Sequence, residues 1–168
     1  PDPERFRQGV RRAREAFARG DLFEVVLSHT FERATDEPGS VLFARLSELN
    51  PAPYGFYFSL GRGERLIGAS PEMFVRVEDR RVETCPIAGT APRDGDPLVD
   101  AERIRALLAD PKEEAELTMC TDVDRNDKAR VSEPGSVRVI GRRQIEVYSR
   151  LIHTVDHVEG TLRKDADA

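Results

Sequence analysis

A chain of 168 residues carries 26 Lys and Arg against 31 Asp and Glu, giving a net charge of −5, with 39% hydrophobic and 34% charged residues. That is about one domain, apolar enough to fill a core and too apolar for disorder. The acidic balance argues against nucleic acid as a partner, and no apolar run nears the roughly 20 residues that span a bilayer.

The start, Pro1-Asp2-Pro3-Glu4, is polar and has no signal-peptide pattern. Asp2-Pro3 reads as an N-cap with proline at the first helical position. Phe6, Val10, Ala13 and Phe17 then recur at helical spacing, and Gly20 supplies a stop. Leu22 to Phe31, rich in Val, Leu and Phe, predicts a strand. Pro38 to Leu49 predicts a second helix, with Leu42, Leu46 and Leu49 on one stripe, and Asn50-Pro51-Ala52-Pro53 forces a loop.

Tyr54 to Leu60 and Arg65 to Ala69 read as a hairpin around Gly61-Arg62-Gly63. Met73 to Val77 and Arg81 to Cys85 read as another, turning near Glu78-Asp79. Ala101 to Leu108 is helical. Asp110-Pro111-Lys112-Glu113 resembles a capping box, so the next helix starts there and is expected to reach Val123 or Asp124. Val137 to Ile140 reads as a strand ending at Gly141, and Ile145 to Leu162 as one long strand. This order of strands, helices and strands predicts an α+β fold, with helices packed on an antiparallel sheet. There is neither a dinucleotide-binding glycine motif nor a phosphate-loop lysine motif. Cys85 and Cys120 lack metal-ligand spacing and the density of a secreted scaffold, which fits a reducing cytoplasm.

Five stretches can carry chemistry, and each has a plain structural reading beside it. Gly68-Ala69-Ser70-Pro71-Glu72 follows a strand. It is either a turn with an exposed Glu72 or a rigidly held general acid. Pro86-Ile87-Ala88-Gly89-Thr90-Ala91-Pro92-Arg93 is an ordinary loop, or a segment where glycine admits a ligand and Thr90 binds a carboxylate. Glu116 shares a helix face with Met119, Cys120 and Val123. It either needs a buried partner such as Mg²⁺ or pairs with Lys112 at the surface. Asp124-Arg125-Asn126-Asp127, just past that helix, reads as a charged helix end. His153, within Tyr148-Ser149-Arg150-Leu151-Ile152-His153, is a satisfied core histidine or a group that titrates near neutrality.

Their order is more specific than any one of them. Ser-Pro-Glu, Pro-Ile-Ala-Gly-Thr, Lys-Glu-x-Ala-Glu, Asp-Arg-Asn-Asp and Tyr-Ser-x-x-x-His-x-Val in succession resemble the chorismate-binding enzymes, over nearly all of residues 1–168. Within that family the chain is most similar to anthranilate synthase component I, in bacterial forms fused to a glutamine amidotransferase.

The resemblance implies a chorismate-binding fold that residues 1–168 fill only in part. The C-terminal remainder and an N-terminal regulatory part would lie outside them, leaving the chain inactive alone. It implies Glu72 as the acid at the departing C4 hydroxyl of chorismate, Gly89 and Thr90 as chorismate contacts, and His153 as an aid to pyruvate elimination. Glu116 would bind Mg²⁺, and Pro53, Tyr54 and Gly55 would belong to a tryptophan feedback site. Ammonia would come from an amidotransferase subunit or fused domain, in the cytoplasm; whether the protein forms a homo-oligomer stays open. Ala88 replaces the lysine nucleophile of aminodeoxychorismate synthases, and Glu24 replaces the lysine base of isochorismate synthases; both point to ammonia as nucleophile. Glu24, Leu117 and Gly55 depart from the commonest anthranilate synthase residues. Two alternatives remain: an aminodeoxyisochorismate synthase of the phenazine type, which retains the pyruvyl group, and a ligand-binding or assembly segment without catalysis.

Overall fold

A computed structural model describes residues 2–166, and the chain divides into two compact units between Glu37 and Pro38. The first unit is built on helix α1 (Pro3–Arg19). The Asp2 carboxylate accepts from the N–H groups of Glu4 and Arg5, at 2.9 and 3.2 Å, and Gly20 closes the other end in the left-handed region with φ 78°. These are the expected caps. The expected strand from Leu22 to Phe31 is absent: residues 21–37 form neither helix nor strand. A strand needs a neighbour for its N–H and C=O groups, and none is paired here. Leu27 instead packs beside Gly9, and the His29 ring lies 4.6 Å from that of Phe6. Phe23, Val26 and Phe31 stay largely exposed.

The second unit opens with α2 (Gly39–Leu49), which packs on a hairpin of β1 (Tyr54–Gly61) and β2 (Glu64–Ser70). Arg62 and Gly63 both have positive φ, 49° and 85°, as the tightest hairpin turn requires. Then come β3 (Arg76–Glu78), β4 (Arg81–Thr84) and β5 (Ile87–Pro92). Helices α3 (Pro97–Ala109) and α4 (Pro111–Val131) follow, and β6 (Arg138–Val147) and β7 (Leu151–Thr161) end the order.

Strand β7 is the centre of an antiparallel five-stranded sheet. β6 runs along one edge of it; β4 and β5 lie end to end along the other, with β3 outside β4. The break between β4 and β5 falls at Cys85-Pro86, where the Asp156 N–H donates to the Pro86 carbonyl at 3.1 Å. Successive side chains of a strand point to opposite faces. Ile152, Thr154, Asp156 and Val158 therefore face the helices, which pack on β5 and β7, while His153, Val155 and His157 face the other way. Leu107, Leu117, Ile152 and Val158 are buried on the helix side.

Four sequence expectations need correction. The stretch Pro86–Arg93 is largely a strand, not a loop. The long strand from Ile145 to Leu162 is the end of β6 and all of β7, joined by a hairpin at Tyr148-Ser149-Arg150 whose Tyr148 N–H donates to Leu151 O at 2.8 Å. The strand expected to stop at Gly141 continues to Val147 through two irregularities. Helix α4 runs on to Val131, so Asp124-Arg125-Asn126-Asp127 lies inside it, where Lys128 pairs with Asp124 at 2.8 Å across one turn.

Candidate active site

On the helix side of β7, Asp156 and Lys128 are paired. Asp156 is fully buried. Its carboxylate accepts from the Thr121 hydroxyl at 2.6 Å and the Arg143 N–H at 2.7 Å, and the Arg142 guanidinium stands 3.3 Å away. Lys128, also buried, holds Asp124 and the Thr84 hydroxyl. Burial pulls its ammonium below the usual lysine range, against the pull of Asp124. These contacts fasten α4 to β4 and β7.

The opposite face differs. Gly89 has φ 88° and is an extra residue in β5: Ala88 pairs with Thr154, and Thr90 already pairs with His153. This is a bulge of the kind glycine permits. Its effect is to rotate Thr90 onto the His153 face; in regular alternation Thr90 would point at the helices. Thr90 Oγ1 then lies 3.1 Å from His153 Nδ1, and the Gly89 carbonyl oxygen lies 3.3 Å from the same nitrogen. A carbonyl only accepts, so the tautomer with hydrogen on Nδ1 suits both neighbours. His153 is 6% exposed, and its Nε2 has no hydrogen-bond partner among the described residues. Ser132 Oγ, at the other end of β7 beside Gly160, is in the same condition.

His153 has titratable groups around it. Glu146 of β6 is its cross-strand partner. The Tyr148 ring meets it edge-on, with centroids 5.4 Å apart. The Tyr148 hydroxyl donates to Glu146 and lies 3.2 Å from the Pro71 carbonyl, which joins the Ser70-Pro71-Glu72 turn to this face. Burial first, then the Glu146 carboxylate, push the Tyr148 phenol well above its ordinary value, so it stays protonated. Cys85 is half-buried, and its thiol is also pushed up by burial and by Glu146, which makes it a poor nucleophile. Glu72 itself is exposed; its N–H donates to Ser70 Oγ at 3.3 Å.

Further along this face Glu83 is fully buried. It accepts from Arg76 at 2.9 Å and from His157 Nε2 at the same distance, with Arg81 at 2.7 Å. Burial raises the carboxyl, but these cations outweigh it and hold it below the usual range. His157 is thus a partnered histidine, in contrast to His153.

Glu116 takes the surface alternative. Its carboxylate accepts from Lys112 Nζ at 2.6 Å, and Glu113 accepts from the same ammonium at 3.0 Å. Those two carboxylates raise the Lys112 pKa above its ordinary value. The expected apolar face of Glu116, Met119, Cys120 and Val123 is wrong by one position. The buried residues of α4 are Leu117, Thr121 and Lys128, and Val123 is exposed. Thr121 and Lys128 disguised the stripe because they are polar. Glu113 is close to the bulge: a side-chain carbon on Gly89 would sit 3.4 Å from Glu113 Cβ. No group of three His, Cys, Asp or Glu side chains gathers among the described residues. The donors on offer are two hard carboxylates converging on one cation, open to water. Pro53 precedes β1, at whose start Tyr54 pairs with Ser70 and Gly55 with Ala69.

Residues 1–168 match the family of chorismate binding enzymes along their whole length. The chain belongs to that family. It is 64% identical over 167 residues to an anthranilate synthase of Azospirillum brasilense, covering 99% of this chain and 23% of that protein. It is 42% identical to a 2-amino-4-deoxychorismate synthase of Streptomyces globisporus, covering 99% of the chain and 33% of the relative. The crystal structure of anthranilate synthase component I from Streptococcus pneumoniae superimposes with a TM-score of 0.86 at 32% identity, over 99% of this chain and 36% of that one. The α+β fold with its antiparallel sheet is therefore the chorismate-binding fold of anthranilate synthase component I, over roughly a quarter to a third of the relatives' length.

The chorismate-binding motifs thus bring Gly89, Thr90 and His153 into contact and set the Glu72 turn beside them through Tyr148. Glu146 came beside His153 only in three dimensions, and Glu113 lies near Gly89 from the helix side. Glu146 is two residues before Tyr148, and alternation put both on the His153 face; the hairpin had to be seen for that signal to be usable.

Proposed function

We propose that this chain forms one wall of a site that converts chorismate and ammonia to anthranilate and pyruvate. The observation that carries the reading is His153: a buried imidazole anchored through Nδ1 to the Gly89 bulge and Thr90, with Nε2 unpaired beside an exposed carboxyl turn. Loss of the C4 hydroxyl needs a proton donor, and Glu72 is the carboxyl free to give one. Once ammonia has added at C2, aromatisation needs a base for the remaining C2 proton as pyruvate leaves. His153 Nε2 has the lone pair for it. Gly89 and Thr90 border the space where the ring would lie, and the glycine lets the substrate come close to the backbone.

Chorismate carries two carboxylates, and Glu113 with Glu116 would hold Mg²⁺ in place of the Lys112 ammonium. Mg²⁺ keeps several waters and takes only one or two protein carboxylates, which suits this donor set. When bound, the ion offsets the substrate's negative charge and fixes its position. Pro53, Tyr54 and Gly55 belong to a tryptophan-responsive segment in this reading; their strand pairing with Ala69 and Ser70 puts them one hydrogen-bonded step from the Glu72 turn. Ammonia comes from a glutamine amidotransferase subunit or domain in the cytoplasm, and no helix among the described residues is long and apolar enough to cross a membrane. Residues 1–168 cover only 23% to 36% of these relatives, so activity is expected of a polypeptide of the relatives' length rather than of this stretch alone.

A second reading is favoured by the similarity to a 2-amino-4-deoxychorismate synthase: ammonia adds and the hydroxyl leaves, but the pyruvyl group stays. One assay separates the two. The natural full-length protein is given chorismate, Mg²⁺ and ammonium, and anthranilate fluorescence and free pyruvate are followed together. Equal appearance of both supports anthranilate formation. Chorismate loss without pyruvate supports the second reading, and no chorismate loss contradicts both.

A further inference from the structure

Two backbone oxygens anchor the segment that carries Glu72 to the five-stranded sheet. The Cys85 N–H donates to Met73 O at 3.3 Å, and the Tyr148 hydroxyl lies 3.2 Å from Pro71 O. The second contact is the informative one. Tyr148 stands at the β6–β7 hairpin, its ring edge against His153, and Glu146 grips its hydroxyl from the row that includes His153. A single side chain therefore touches the Glu72 turn at one end and the His153 ring along its edge. The turn has little else to fix it, since the Glu72 N–H reaches only the neighbouring Ser70 hydroxyl, and the Glu72 side chain is exposed.

We infer that Tyr148, aimed by Glu146, is a positioning residue that sets the Glu72 turn at its working distance from His153. The inference rests on the proposed pairing of Glu72 as acid with His153 as base. The two groups serve successive steps on one ring, so their separation has to match the distance between its reacting carbons. A misplacement of about 1 Å at such a pair costs about a hundredfold in rate. The phenol is suited to the task. It is rigid, it keeps its hydrogen because burial and Glu146 oppose ionisation, and that one hydrogen is shared between the Glu146 carboxylate and the Pro71 carbonyl. Glu146 fixes the phenol oxygen, and an amide at that position would fix it equally well.

The test uses the natural full-length protein and its Tyr148→Phe and Glu146→Gln forms. Phenylalanine keeps the ring against His153 and removes only the hydroxyl. Steady-state turnover of chorismate with ammonium is read together with amide hydrogen exchange of residues 70–75. Tyr148→Phe is expected to lower kcat by about tenfold to a hundredfold with KM within about twofold, because the hydroxyl aims a group and does not bind substrate. Exchange across 70–75 rises in the same variant, whereas in Glu146→Gln, where an amide still reaches the phenol oxygen, exchange stays near that of the unmodified protein. Unchanged kcat and unchanged exchange in Tyr148→Phe would overturn the role. So would a rise in exchange in Glu146→Gln equal to that in Tyr148→Phe, which assigns the tethering to the Glu146 charge instead. If the unmodified protein forms no product from chorismate, the functional reading fails by itself, and the exchange measurement alone then supports or overturns the tethering by Tyr148.

Discussion

The two faces of β7 are built from alternate residues of one strand, yet Asp156 on one face and His153 on the other are treated in opposite ways. Toward the helices, Asp156 has a hydroxyl, a backbone N–H and a guanidinium around its carboxylate. Toward the other side, one residue pair along, His153 satisfies Nδ1 and leaves Nε2 buried and unpaired. A buried polar group without a partner costs about 1–3 kcal/mol. The fold has the means to pair such a group, as His157 and Glu83 demonstrate four residues further along the same face. The nitrogen left open at His153 is where a ligand would complete the pairing.

The largest effect that would test this contrast is chemical. Glu72→Gln keeps the size and polarity of an exposed side chain and removes its acid function. Anthranilate formation by the full-length protein should fall about 10²- to 10⁴-fold, with unchanged thermal unfolding. Retained activity would separate Glu72 from the site.

Next comes the scaffold. Asp156→Ala leaves the buried Thr121 hydroxyl and the Arg143 N–H without their acceptor, while the half-exposed Arg142 guanidinium can turn to water. Leaving buried donors unsatisfied in this way costs about 1–3 kcal/mol for each, which denaturant unfolding measures directly. An effect below about 1 kcal/mol, the range of an exposed ion pair, would mean the helix face is not the rigid partner described here.

Gly89→Ala joins the two faces. A methyl group there would meet Thr154 Oγ1 at 2.7 Å and Leu107 at 3.2 Å, on a backbone with φ 88°. The strain should cost roughly 1–3 kcal/mol. Relief by straightening β5 would turn Thr90 away from His153, so turnover should fall further than stability does.

The smallest effect is a pH dependence. The Tyr148 phenol has a higher pKa folded than its ordinary value of 10.0. The folded state therefore holds this proton more tightly, and the resulting stability is intact below pH 10 and declines as pH rises beyond it. Subtracting the unfolding free energy of Tyr148→Phe from that of the unmodified protein should give a difference that is flat at neutral pH and falls above pH 10. A difference that rises there would reverse the assignment.

Much of this scaffold could be read in the sequence because local chemistry fixed it. Asp2-Pro3 and Asp110-Pro111 capped the helices they were expected to cap, and Arg62-Gly63 made its hairpin turn. The failures came where partners decide. Leu22–Phe31 has strand composition but finds no ladder. Pro86–Arg93 has loop composition but is held as a strand by β7, with Gly89 serving as the bulge rather than as a break. The stripe on α4 was shifted by one because its buried positions include Thr121 and Lys128, whose burial depends on Asp156, Asp124 and Thr84. His153 could be named from its motif, whereas its unpaired nitrogen depends on a bulge in another strand, which no spacing along the chain records.

The most direct test compares two histidines of one strand face in the full-length protein, replacing His153 or His157 by alanine and measuring anthranilate formation and melting temperature for each. His153→Ala is expected to lose at least about a hundredfold in turnover with a small change in melting. His157→Ala, which leaves buried Glu83 short of a donor, is expected to lower the melting temperature while turnover per folded molecule stays near normal. Equal losses of turnover in both, or retained turnover in His153→Ala, would contradict the claim that the unpaired histidine marks the site.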